Sequence, residues 1–168
     1  MTTHTPGLPI GVIDNADIGA MLYLTRPVPD GTPMDEPWFT RVQMEGGAGS
    51  WPHFHAVGDR PVQQEAEFFQ WVQGDMEVYL RASEKWPEFR AKGWTGQPLD
   101  NDHPFVFVPP GWDHAIIMTG LEGKAEFVAF TPAAHLVNNE KGGNVHRINE
   151  LDDLPQSIVK RINADLIK

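Results

Sequence analysis

The 168-residue sequence contains no cysteine. Disulfides, thiolate metal sites and a thiol nucleophile are therefore excluded, and any metal must be held by nitrogen and oxygen. Basic side chains are scarce: 13 Lys and Arg stand against 23 Asp and Glu, a formal net charge of −10. Such a surface repels phosphate backbones and anionic lipid, so neither a nucleic acid nor a membrane is expected as a partner. The acids are spread along the chain without forming a run, which reads as a solubilising surface rather than a recognition tail. No stretch approaches the roughly 18 consecutive apolar residues of a membrane span. The segment MTTHTPGLPIGVIDNADIG lacks a basic flank followed by an apolar core, and a cytoplasmic address is the expectation. No repeat and no low-complexity segment is visible, which excludes solenoids and tandem arrays.

What is present is an ordinary globular composition, 40% hydrophobic and 21% charged, in a chain whose length suits one cored domain. We expect a single domain over 1–168, with an irregular arm over 1–18, a barrel over 20–135 and a C-terminal helix over 148–168. The arm carries Pro6 and Pro9 and no sustained period. Eight short apolar or alternating runs follow: AMLYLTRPV, PWFTRVQME, WPHFHAV, EFFQWVQ, DMEVYLRA, PFVFVPP, HAIIMTG and KAEFVAFTP. Their spacing predicts an all-β sandwich or barrel. Breaks are expected at Pro27 to Pro33, at Gly46-Gly47-Ala48-Gly49, at Gly74-Asp75 as a tight hairpin, at Pro109-Pro110-Gly111 and at Gly120 to Gly123. Between Ser83 and His103 the pattern lapses into a long excursion with one helical turn around Pro87 to Ala91. Ile148, Leu151, Leu154, Ile158, Ile162 and Leu166 fall near helical spacing.

The chemistry-bearing residues lie on these runs. Side chains alternate along a strand, so His53 and His55 point to one face and Phe54 to the other. Glu67 opens the next run, and His114 opens a later one after the PPGWD turn. Three separate strands thus each present a potential metal ligand near one end, which suits a site inside a closed sheet. On its own a His-x-His pair is more often solvent-facing or hydrogen-bonded than ligating.

Two motifs change that weighting. His53-Phe54-His55, then Glu67 with Gly74 after six intervening residues, and Pro109-Pro110-Gly111-Trp112-Asp113-His114 resemble the paired motifs of the cupin family, over roughly residues 45–130. The resemblance implies a cupin barrel, a double-stranded β-helix or jelly roll, with His53, His55, Glu67 and His114 on one divalent metal. It implies no particular reaction. One departure is the loop AVGDRPVQQEA between His55 and Glu67, longer than the family's; Glu65 is a rival ligand, or the carboxylate stands off the metal. Family habit points to Fe(II), and the donor set equally accepts Mn(II), Ni(II), Co(II) or Zn(II).

Trp51, Phe68, Phe69, Trp71, Tyr79, Phe105, Phe107 and Trp112 lie on or beside the ligand-bearing strands. Most are expected in the core, while those facing the cavity would favour a flat, hydrophobic substrate. We take Trp51, Phe69, Arg81 and Trp112 as candidate substrate contacts, Arg81 through an anionic substituent or else as a solvated surface residue. His103 and His135 have no assigned role beyond a structural or exposed one. The stretch EFFQWVQGDMEVYL is similar to the Glu-aromatic-Gln segment of 3-hydroxyanthranilate dioxygenases. In size, lack of cysteine and N-terminal arm the chain also resembles the small subunit of two-component hydroquinone 1,2-dioxygenases. These resemblances imply Fe(II)-dependent cleavage of a small hydroxylated aromatic ring with O2, by the chain alone or with a larger subunit. A metal-dependent lyase, isomerase or decarboxylase, and a non-catalytic cupin subunit, are the competing readings. A homodimer or a heteromer is expected, because sheet edges need covering.

Overall fold

The computed structural model describes residues 17–26, 28–55, 66–140 and 145–166. Among the described residues ten strands and three helices follow in the order β1 (Asp17–Leu24), β2 (Pro37–Ser50), β3 (His53–His55), β4 (Glu67–Gln73), β5 (Met76–Arg81), α1 (Pro87–Arg90), β6 (Thr95–Leu99), β7 (Phe105–Val108), β8 (Asp113–Met118), β9 (Lys124–Pro132), α2 (Ala133–Glu140), β10 (Val145–Arg147) and α3 (Gln156–Leu166). Every pairing is antiparallel. One layer runs β1-β2-β9-β4-β7 and the other β10-β3-β8-β5-β6, and together they make a nearly closed barrel.

Strand alternation builds the interior. Met76, Val78 and Leu80 of β5 stand opposite Met118, Ile116 and His114 of β8 and turn inward with them. Val42 and Met44 of β2, Phe69 of β4 and Phe127 of β9 close the same core. The intervening residues face outward: Tyr79 and Ile117 pack under Leu154 and Ile158, which dock α3 on the second layer. On the first layer the outward side is a row of phenylalanines. Phe68 stacks on Phe105 at 5.4 Å between ring centroids and meets Phe130 at 6.1 Å, and Phe130 meets Phe39 at 6.4 Å. Phe39, Phe105 and Phe107 are more than half exposed.

Several sequence expectations are corrected. Gly46 to Gly49 do not end a strand: β2 continues through them as a bulge, with the register to β1 jumping from Ile18↔Gly49 to Ala20↔Glu45. Gly46 and Gly47 take positive φ there, and beyond the bulge Gly49 pairs with Ile117 of the other layer. A Cβ at Gly49 would stand 2.8 Å from the Ile117 side chain, so only glycine permits that crossing. Gly74-Asp75 is not a hairpin either, since β4 and β5 belong to different layers and do not pair. It is a corner tied to both layers: Gly74 O accepts from Trp71 Nε1 and Asp75 O from Thr119 N. Two strands, β6 and β10, and helix α2 are additional to the expected runs. The barrel strands begin at Asp17 and reach Arg147, and the last helix begins at Gln156 rather than near 148. Pro155 sets that start, because its ring disfavours helical backbone at Leu154. The arm, apart from Asp17 and Ile18, lies outside the described residues.

The Gly74 corner yields a direct test. Its φ is +72°, and a Cβ would come within 2.4 Å of Lys124 O and 2.7 Å of Ala125 Cα. Neither is the end of a flexible side chain. Gly74→Ala is expected to lose about 2 kcal/mol of stability, read as a lower midpoint in thermal unfolding; an unchanged midpoint would show that the corner is free to open.

Candidate metal centre

His53 and His55 come from the three-residue β3, held between β8 and β10. His53 pairs directly with His114 in register. Phe54 turns to the other face and stacks on His146 of β10, with ring centroids 5.0 Å apart. Glu67 starts β4 opposite Val108, the last residue of β7. From there Pro109-Pro110-Gly111, with Gly111 at φ +72°, turns the chain into β8 and delivers His114 beside Glu67. All four side chains are buried.

The ring centroid of His53 lies 4.9 Å from that of His55 and 4.4 Å from that of His114. Glu67 Oε2 is 2.7 Å from His114 Nε2 and 3.5 Å from His55 Nε2. Backbone carbonyls fix which nitrogen can bind a metal. His53 Nδ1 is 2.6 Å from Trp51 O, and His114 Nδ1 is 2.9 Å from Trp112 O. A carbonyl only accepts, so each Nδ1 carries the proton and each Nε2 offers its lone pair to the centre. Both ring nitrogens of His55 and Glu67 Oε2 are buried without an aligned hydrogen bond. Buried polar atoms left this way are costly, and a cation among them would satisfy Glu67 Oε2 and one nitrogen of His55 together. The residues fit a metal ion, which His53, His55, Glu67 and His114 could hold.

Electrostatics agree with that donor set. Burial, helped by neighbouring imidazoles, holds His53 well below the usual histidine range, and burial lowers His55 against the pull of Glu67. Both are neutral at pH 7, the form in which an imidazole can bind a metal. Burial also opposes ionisation of Glu67, yet His114 and His55 outweigh it and keep the carboxyl well below the usual carboxylate range. His114 is raised, because Glu67 overcomes the burial that would lower it.

The candidate substrate contacts fare differently. Phe69 shares the inward face with Glu67, 6.4 Å from the His114 ring and 5.1 Å from Phe127. Trp112 packs on the barrel core and supplies the carbonyl that orients His114. Trp51 packs with α3 on the outer face instead, donating Nε1 to Ile148 O under the Arg147 guanidinium. Arg81 lies neither at the centre nor in solvent. Its neighbour Leu80 shares the His114 face, so Arg81 takes the opposite one, buried, with Nε donating to Asp113 Oδ2 at 2.8 Å and the guanidinium over Trp94. Phe68, Phe105 and Phe107 face outward, and Trp71 and Tyr79 are spent on hydrogen bonds to Gly74 O and Glu77. Glu65 lies outside the described residues. His103 is exposed, against Asp100. His135 is the residue that sequence reasoning missed: it is buried, 4.3 Å from the His55 ring and, through Nε2, 3.8 Å from Glu67 Oε1. A helix start after Thr131-Pro132 was the available signal.

No protein-family model and no curated protein sequence matches this chain. Solved structures do. A cupin-like protein from Thermotoga maritima superposes with a TM-score of 0.54 over 90% of this chain and 91% of its own, at 13% identity. The fold is a cupin barrel. Oxalate oxidase in complex with the substrate analogue glycolate matches at a TM-score of 0.53, over 92% of this chain and 69% of its own, at 15% identity. At such identities the likeness concerns the cupin fold alone. No helix among the described residues is long and apolar enough to cross a membrane.

Proposed function

We propose that this cupin is a non-haem Fe(II) dioxygenase, or a subunit of one, that opens a hydroxylated aromatic ring of the hydroquinone, catechol or aminophenol type. The observation that carries the reading is the convergence of His53, His55 and His114 with Glu67, whose carboxyl is held well below the usual range, in a buried, aromatic-flanked centre. Fe(II) bound there would supply a place for a phenolate oxygen and for dioxygen side by side. The protein's part is orientation and dryness. The carbonyls of Trp51 and Trp112 hold two imidazoles with Nε2 inward, while Phe69 and Phe127 give the interior an apolar wall. Arg81 and Arg90 are engaged with Asp113, and Arg41 with Glu126, so these guanidiniums do not select a second anionic group. That supports a phenol over a dicarboxylate. The outer row of phenylalanines supports assembly, with a second copy or a larger subunit.

The test is oxygen uptake by the purified full chain after Fe(II) reconstitution, with hydroquinone, catechol and 3-hydroxyanthranilate. We expect uptake that requires iron and is lost in His114→Ala. Bound metal without uptake would remove the self-sufficient dioxygenase; turnover under anaerobic conditions would then favour lyase or isomerase chemistry, and uptake restored by a co-purifying chain a subunit role.

A further inference from the structure

We propose that His135 is a fifth protein donor to the metal, so that the resting site is built from four imidazoles and one carboxylate. The inference rests on the metal-centre reading above and not on its oxygen chemistry. His135 reaches the centre from α2, outside the sheet. The start of that helix is fastened to the segment before β2, with Ala133 N donating to Glu36 O at 2.8 Å and Ala134 N to Met34 O at 2.9 Å. Leu136, next to it, is also buried. The helix thus presses the imidazole into the barrel mouth, where its side chain is 7% exposed.

The spacing is that of donors sharing an ion. Two donors each about 2.1 Å from one metal lie roughly 3.0 Å apart at right angles and about 4.2 Å apart when opposite. His55 Nε2 stands 3.5 Å from Glu67 Oε2 and His135 Nε2 3.8 Å from Glu67 Oε1, each inside that window and beyond ordinary hydrogen-bond length. The donor atoms of His55, Glu67 and His135 all lie within 4.8 Å of one another, as do those of His53, His55 and His114. The two triads share His55. Glu67 bridges them, with Oε2 toward His114 and Oε1 toward His135.

A six-coordinate ion held by all five residues, with Glu67 binding through a single oxygen, would keep one open position. A substrate that chelates through two oxygens must therefore displace a protein donor. His135, the only one of the five that the sheet does not fix, is the one that gives way.

The test uses the full-length protein stripped of metal and loaded with Co(II), in which each ligated imidazole gives its own far-shifted exchangeable N–H proton resonance. We expect four such resonances in the wild type, three in His135→Gln and His135→Ala, and three when catechol is bound to the wild type. Co(II) affinity from chelator competition should fall at least about 10-fold in both variants, less than on loss of His53 because His135 is the donor that gives way, with added imidazole restoring part of it in His135→Ala. Three resonances in the resting wild type, or variant affinities equal to it, would overturn the inference and leave the metal centre standing. An unchanged count with catechol bound would overturn the displacement. Failure of the wild type to take up Co(II) would remove the metal centre itself. Because the wild-type count needs no variant, the test survives a substitution that fails to fold.

Discussion

His53→Ala is expected to emerge from purification and brief chelator dialysis without metal, while the wild type retains it. His53 is buried and neutral, its Nε2 aimed inward by the bond from Nδ1 to Trp51 O. Alanine removes a donor and leaves a space that the neighbouring strands, locked in register by β8 and β10, do not close. Altering residues that merely orient a ligand costs about 10- to 100-fold in affinity, so loss of the ligand itself should exceed roughly 100-fold. The second readout is thermal. A metal that binds only the folded state raises the unfolding midpoint, so added Fe(II) or Co(II) should lift the wild type and not His53→Ala. His103→Ala, altering an exposed histidine away from the centre, is the control and should behave as wild type. Equal metal retention by His53→Ala would mean that the β3 pair is not the anchor of the site.

Asp113→Ala is expected to be the most destabilising single change outside the centre. Asp113 adjoins His114 but points to the opposite face, where its Oδ2 accepts from Arg81 Nε at 2.8 Å and Arg90 Nη1 at 2.9 Å. Burial pushes the Asp113 carboxyl above its ordinary range even with both guanidiniums beside it. Removing the carboxylate leaves the Arg81 cation, whose side chain is 7% exposed, without its counter-charge. Stranding one partner of a buried pair costs about 3–5 kcal/mol, which at this chain length is a fall of roughly 10 °C in midpoint. Adding Arg81→Met to Asp113→Ala should recover part of the loss, since the pair is then replaced without an orphaned charge at Arg81. If the double variant is no more stable than the single one, the loss belongs to the Arg90 contact with the α1 segment.

The parts legible from sequence were those governed by short-range rules. The period-two spacing of His53 and His55 put both imidazoles on one face, and the Pro-Pro-Gly corner announced where β8 would begin. Residues whose place depends on a distant partner were not legible. Strand β6 reads TGQPL, polar and interrupted by Pro98, and qualifies as a strand only because it is an edge paired with β5 alone, where a missing N–H is tolerated. Gly46 to Gly49 carry every mark of a turn, yet the chain runs straight through them because β1 and β9 flank the first part of β2 and β8 receives the last. Arg81 sits one residue from an inward-facing position, and parity alone sends it to Asp113. His135 follows β9 with no intervening loop, and the Thr131-Pro132 step alone marks the change from strand to helix before it.

The register of β2 against β9, from Glu45↔Lys124 out to Pro37↔Pro132, also says something about the order in which the molecule is made. The intervening chain holds β3 through β8 and with them the two histidine motifs and Glu67. Closing so large a loop carries an entropic cost before any pairing rewards it. The donors are therefore expected to meet late in folding, when both motifs come together. Metal should then leave the refolding rate nearly untouched and slow only unfolding, acting as a latch on the finished barrel.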